Sequence, residues 1–221
     1  MKMRNILLGA SLSAIALSAS AADVRLYGVL DYGFTVSRQT GDGGSTQYNV
    51  SMKSGGRNAS RFGLKGSEDL ANNLKVSFIL ESQFLGDTGT LQTNNRLWER
   101  EASLAISGDF GKLTFGRLGY MKGSVSSVAL LNAYRVNPFG GIQDQYITGF
   151  KPYTTGTTWS VDNSIVYATS KFSGFTGYLQ YSNATDGQEG RTNNAKNRYF
   201  AGAIRYENGP VFAQILLDTT N

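Results

Sequence analysis

The chain has no cysteine and no histidine among its 221 residues. Without histidine, neither a Ser-His-Asp nor a Cys-His catalytic set can be assembled, and the commonest metal ligand is missing. Without cysteine, an exported chain must draw its order from something other than disulfides. Proline is scarce, with only Pro138, Pro152 and Pro210, and all three fall in a long aperiodic stretch or a turn. Long apolar runs are equally scarce. The one at Ile6–Leu17 is too short to span a bilayer comfortably, and after residue 22 no run of helix-spanning length remains. No catalytic, cofactor-binding or metal site is expected on these grounds.

The short apolar run belongs to a recognisable signal. Lys2 and Arg4 give a charged start, and Ala19-Ser20-Ala21 supplies a small-residue cleavage pattern. Residues 1–22 therefore read as a secretory signal peptide, leaving 23–221 as the mature segment. Taking Lys2 and Arg4 from the 21 basic residues leaves 19 against 16 acids, a charge of +3. That surplus is too small and too scattered to indicate nucleic acid.

What is abundant is glycine, 27 residues, together with 12% aromatics, arranged in strict alternation. In Val24–Ser37, Leu26, Gly28, Leu30, Tyr32, Phe34 and Val36 share one face, and Arg25, Tyr27, Asp31, Thr35 and Ser37 share the other. Around 59–65, Phe62 and Leu64 oppose Arg61 and Lys65. Leu74, Val76, Phe78 and Leu80 oppose Lys75, Ser77, Glu81 and Gln83. Over Leu97–Ser107, Ala102, Leu104 and Ile106 oppose Glu99, Glu101 and Ser103. Shorter segments follow at Lys112–Gly116, Ser164–Ala168, Phe175–Tyr181, Tyr199–Tyr206 and Val211–Asp218, making nine strands in all.

Long connections at 38–58, 85–96, 117–162 and 183–197 alternate with the short turns EDLANN, GDFG, SGF and ENGP. Long loops on one rim and short turns on the other are the rhythm of an up-and-down membrane barrel, with the mixed Leu, Phe, Tyr, Val and Gly face toward lipid. Tyr32, Trp98, Tyr167 and Tyr181, near strand ends, suit interfacial girdles. The expected fold is all-β, a transmembrane antiparallel β-barrel. Single-chain bacterial barrels have even strand numbers, and an open edge in lipid is unpaired. Nine strands therefore lead us to expect the N-terminal part of a longer barrel. The stretch from Arg117 to Asp162 loses the alternation for about 45 residues. An insert of that length inside a compact domain is usually functional, and we expect it to fold into the barrel.

Leu26-Tyr27-Gly28-Val29-Leu30-Asp31, the stretch from Ser60 to Leu70 (SRFGLKGSEDL), the stretch from Gly108 to Arg117 (GDFGKLTFGR) and Asp162-Asn163-Ser164-Ile165-Val166-Tyr167 resemble the Gram-negative trimeric general porins, particularly the Neisseria and Burkholderia type. The likeness spans nearly all of the mature chain. It implies a homotrimer of barrels of about sixteen strands, each narrowed by an inward-folded constriction loop, here about 118–162, that faces wall arginines. Arg61 and Arg117 fall on the pore-lining positions. Alternation also places Arg61 inward. Arg117 shares parity with Phe115, so the strand is expected to break or twist there. Arg100 meets the same difficulty against Leu104. The porin loop commonly reads Pro-Glu-Phe-Gly-Gly, whereas this chain has Asn137-Pro138-Phe139-Gly140-Gly141, without the acid; a basic residue that often precedes Asp-Asn-Ser is replaced by Trp159 and Ser160.

The candidate constriction is Arg61, Lys65 and Arg117 on the wall with Arg135 and Asp144 on the insert, and Pro138, Phe139, Gly140 and Gly141 as its bend. A charged ring around a water-filled lumen passes solute without any reaction. Lys122, Arg135 and Lys151 against Asp144 and Asp162 favour a mild anion preference. Glu99 and Glu101, about 7 Å apart on one strand face, suit lumen solvation better than a glycosidase pair. The expected partners are outer-membrane lipid, small hydrophilic solutes and ions, and two further copies of the chain, with no nucleic acid. The competing reading is an outer-membrane barrel with an adhesive or enzymatic role completed by residues outside this chain.

Overall fold

A computed structural model describes residues 23–40, 46–55, 58–123, 125–130, 160–187 and 197–220. The strands are β1 (Asp23–Val29), β2 (Tyr32–Thr40), β3 (Thr46–Ser54), β4 (Arg61–Asp69), β5 (Lys75–Leu85), β6 (Thr90–Leu91), β7 (Glu101–Gly108), β8 (Gly111–Gly119), β9 (Ser160–Ala168), β10 (Phe175–Ser182), β11 (Tyr199–Asn208) and β12 (Val211–Thr220). The main sheet runs β1-β4-β5-β7-β8-β9-β10-β11-β12, with β6 added beside β5 and β2-β3 forming a separate two-stranded sheet. Every pairing is antiparallel.

The two faces of this sheet are inverted relative to a water-soluble domain. One cross-strand row reads Val24, Gly66, Phe78, Leu104, Phe115, Ile165, Tyr181, Phe200. Val24, Leu104, Ile165, Tyr181 and Phe200 of this row are apolar yet exposed, as are Leu26 (74%) and Leu217 (75%) on the same face. The adjacent row on the other face reads Asp23, Ser67, Ser77, Ala105, Thr114, Val166, Gln180, Ala201, Asp218. The buried polar residues Ser103, Thr114, Ser164, Gln180 and Ser182 lie on this second face. Polar inside and apolar outside is the pattern a wall needs when its outer solvent is hydrocarbon. No described helix is long and apolar enough to cross a membrane, which does not bear on strands.

Three sequence expectations change, the smallest being that the connection 85–96 carries the short strand β6, paired with the end of β5. Val24–Ser37 is not one strand: it breaks at Leu30-Asp31 into β1 and β2, and β2 continues to Thr40. The connection 38–58 is not all loop, since Thr46–Ser54 forms β3 and pairs with β2, placing Phe34 opposite Met52 and Val36 opposite Val50. At the break, Asp31 leaves the ladder. Its carbonyl accepts from Gly55 N (2.8 Å) and Ser60 Oγ (3.0 Å), and its carboxylate accepts from Asn58 N (2.6 Å). The remaining expected strands are present, although β7 begins at Glu101 rather than Leu97 and β8 extends past Gly116 to Gly119.

Candidate functional site

The inner face of β1, β4, β5 and β7 carries one polar group. Tyr27, Gly63, Glu81 and Glu101 stand in a single cross-strand row. A Cβ at Gly63 would lie 2.7 Å from the Tyr27 ring, so glycine is what lets that ring cross β4. The Tyr27 hydroxyl then donates to Glu81 Oε2 at 2.9 Å. Glu81 also faces Arg61 Nε at 3.4 Å and Arg100 Nε at 2.6 Å. Arg100 donates further to Gln83 Oε1 at 2.8 Å. One carboxylate therefore serves two guanidiniums. Lys65, on the same face as Arg61, is exposed and lies 5.2 Å from the Tyr27 ring centroid, with no ion pair among the described residues.

Arg61 and Lys65 thus stand where alternation put them. Arg100, which strict alternation turned outward, bends back to Glu81 because β7 begins only at the next residue. Arg117 belongs to a different group. The β8–β9 register shifts between Gly116 and Leu118, so that Asp162 and Asn163 stand opposite Arg117 alone. Gly116 (φ 123°) and Asn163 (φ 51°) supply the left-handed conformations of this bulge. Arg117 is thereby held to Asp162 Oδ1 at 2.6 Å and to the Glu99 carbonyl at 2.5 Å. Arg96 Nη1 reaches the same carboxylate at 2.8 Å. The expected break in alternation at Arg117 is present as this bulge.

The third group holds the first part of the insert. Sequence reasoning did not find it. Glu101 is not solvated in the lumen as expected: it is 2% exposed. Its carboxylate accepts from Ser127 N (2.8 Å), Ser127 Oγ (2.6 Å) and Ser103 Oγ (2.7 Å). Glu99, at 4% exposure, is buried too, with neither carboxylate oxygen hydrogen-bonded. Gln180, 1% exposed, accepts from Met121 N at 2.7 Å and donates to the Gly119 carbonyl at 2.9 Å. Arg205 donates to the Leu130 carbonyl at 3.0 Å while lying over the Tyr178 and Phe212 rings at 5.6 and 5.4 Å. Lys122 pairs with Asp218 at 2.5 Å. Beneath these contacts Leu118, Met121 and Leu130 pack on Val166, Tyr199, Ala201 and Ala203.

The start of the insert therefore lies on the polar, inner face of β9 to β12. Arg135, Asp144 and the bend Pro138-Phe139-Gly140-Gly141 lie outside the described residues. The one available signal for the anchoring group was composition: Gln180 is a long amide between Leu179 and Tyr181, and such a residue on a closed face needs partners.

A sheet that buries its polar face, exposes its apolar face and takes an insert onto the polar side defines a transmembrane β-barrel wall with an internal segment. The family model for Gram-negative porins matches residues 9–221, and the chain belongs to that outer-membrane family. It is 31% identical to an outer membrane porin protein of Bordetella pertussis, over 99% of this chain and 60% of the relative. It is 30% identical to outer membrane porin protein 32 of Delftia acidovorans, over 93% of this chain and 56% of the relative. It is also 30% identical to the major outer membrane protein P.IB of Neisseria meningitidis serogroup B, over 96% of this chain and 58% of the relative. The fold superposes on a solved structure titled anion-selective porin from Comamonas acidovorans with a TM-score of 0.65 at 26% identity, covering 90% of this chain and 58% of that one. The chain spans between 56% and 60% of the length of these three relatives.

Proposed function

We propose that the chain supplies wall and constriction to a water-filled outer-membrane channel for passive diffusion of small hydrophilic solutes and ions. The observation that carries this reading is the insert seated on the polar face: Glu101, Gln180 and Arg205 hold Gly119, Met121, Ser127 and Leu130 against the inner wall. A loop fixed there narrows a lumen, and a narrow charged lumen passes solute by diffusion alone. In this reading residues 1–22 are the cleaved export signal, about 118–162 the constriction loop, and three copies assemble. No reaction is assigned to the protein.

The preference we assign is mildly anionic. Arg61 and Arg100 share Glu81, Arg96 and Arg117 share Asp162, and Lys65 stands without an ion pair among the described residues. The name of the Comamonas relative points the same way. The test is the full-length protein in planar bilayers under a potassium chloride gradient, with liposome swelling in small sugars. Stepwise conductance, sugar-driven swelling and an anion-signed reversal potential are expected. Absence of conductance and swelling overturns the channel in favour of an adhesive or enzymatic barrel. A cation-signed potential overturns the preference alone.

A further inference from the structure

The outward face of β9 to β12 is notched rather than smooth. A groove of about 670 Å³ crosses it, lined by Tyr167, Leu179, Phe200, Ile204, Ile215 and Leu217 above the glycines Gly177 and Gly202. That volume lies within the range of about 300–1,000 Å³ typical of small-molecule sites. Gly202 stands between Leu179 and Leu217 in one cross-strand row, and Gly177 stands opposite Ile204.

These glycines are not required by the chain itself. Elsewhere in the sheet, a Cβ at Gly63 or Gly66 would come within 2.5 or 2.6 Å of a neighbour, and Gly116 has φ 123°. At Gly202 the nearest atom to an added Cβ is Leu179 Cδ2 at 3.6 Å, and at Gly177 it is Thr169 Cγ2 at 3.4 Å, both ordinary contacts. Glycine within a strand weakens it and often marks the close approach of something else. Here the open space faces the lipid-exposed band, with which the groove is continuous.

The ends of the groove differ. Thr169 closes one end, beside the short β9–β10 turn, where Lys171 and the 80% exposed Phe172 also lie. Thr219 closes the other, near the long-loop rim. Short turns face the periplasm in outer-membrane barrels. The Lys171 end therefore meets the phosphate level of the periplasmic leaflet, with the acids Asp109 and Glu207 on the neighbouring turns, and the exposed Phe172 suits the interface.

We propose that the Gly177–Gly202 groove seats one acyl chain of a periplasmic-leaflet phospholipid, with its phosphate at the Lys171 rim. The seat is independent of whether the barrel conducts. The test is native mass spectrometry of the full-length protein titrated in detergent with palmitoyl-oleoyl phosphatidylethanolamine, with heat-modified electrophoretic mobility as the check on folding. Gly202→Leu fills the floor and is expected to weaken retention about tenfold, equivalent to about 1.4 kcal/mol, and Lys171→Gln to weaken it less. If Gly202→Leu does not fold, Leu217→Ala removes a groove wall at an exposed position and gives the same measurement. Equal retention by wild type and a folded groove variant overturns the proposal. So does loss confined to added lipopolysaccharide, or unchanged lipid binding with a dissociated oligomer, which makes the groove a contact between copies.

Discussion

On β1, β4 and β5, with Arg100 just before β7, Arg61, Arg100 and Lys65 surround Glu81 and Tyr27, all of them side chains of the wall itself. On β7 and β9 to β12, Glu101, Gln180 and Arg205 spend their hydrogen bonds on Ser127 and on the backbone of Gly119, Met121 and Leu130. Both stretches present charged and amide groups to the inside of the same sheet. In the first, Arg61, Arg100 and Lys65 stand against Glu81 and the buried Glu101 of the same row, so a surplus of one positive charge remains. In the second, the charges are committed to holding a chain segment. The same residue types thus make a field where they meet only each other and a clamp where a segment lies over them.

The seam between the two regions is the β8–β9 bulge, and breaking it has the largest expected effect. Gly116 has φ 123°, and a side chain there runs into the Ala102 carbonyl of β7. Gly116→Val is expected to cost on the order of 3 kcal/mol through backbone strain and overpacking. It also releases Arg117 from Asp162. The readout is the fraction of full-length protein recovered as folded, heat-modifiable barrel. Wild-type recovery would show that the bulge does not join the two regions.

Glu101→Gln probes the clamp side. The carboxylate accepts three hydrogen bonds, two of them from Ser127. An amide of the same shape loses the charge-assisted acceptor, and its NH2 fits only in the Oε1 place, with both serine hydroxyls turned round to accept. The expected loss is about 2–3 kcal/mol in denaturant unfolding, with increased open-channel noise and little change in reversal potential. A shift in selectivity without a loss of stability would move Glu101 to the field side.

These regions differed in how far they were legible in the sequence. Alternation placed Arg61, Lys65 and Glu81 on one face, because strand periodicity is local and every member lies in a strand. Arg117 was legible as a conflict, since its parity opposed its expected role, and the bulge resolved it. Arg100 was ambiguous because it precedes β7, where alternation has no authority. The β2–β3 hairpin was missed although Tyr48, Val50 and Met52 alternate with Asn49, Ser51 and Lys53. The polar Gly-rich segment before them masked the signal. Glu101 was misassigned to solvent because its partner Ser127 lies 26 residues away in an aperiodic stretch. Contacts between a strand and an irregular segment leave no period to read.

The field side is tested by a pair of substitutions with opposite signs. Glu81→Gln leaves Arg61 and Arg100 without their shared carboxylate, and should raise the anion-to-cation permeability ratio. Lys65→Gln should lower it, with stability unchanged within about 0.5 kcal/mol. A unit charge about 10 Å from the ion path in water-like surroundings is worth about 0.4 kcal/mol, of opposite sign for anion and cation, so each ratio shifts about fourfold. Both are read as reversal potentials in a salt gradient and should shrink as salt is raised. Shifts of the same sign would mean that Glu81 acts by placing the arginines rather than by neutralising them.

Lys122 sharpens the comparison from within the clamp, with the smallest effect. Its ammonium lies 2.5 Å from Asp218, and the two side chains are 18% and 21% exposed. It also sits 5.6 and 5.8 Å from the Tyr120 and Tyr199 ring centroids. Those contacts suggest a strong tether, but a single ion pair that keeps some water contact contributes little once screening and side-chain ordering are counted. The backbone at Met121 is held by Gln180 regardless. Lys122→Gln is therefore expected to cost about 0.5–1 kcal/mol, less than Glu101→Gln, in the same denaturation series. A cost equal to that of Glu101→Gln would mean that charge pairing, rather than hydrogen bonds to the insert, holds the segment, and the clamp and the field would then rest on the same interaction.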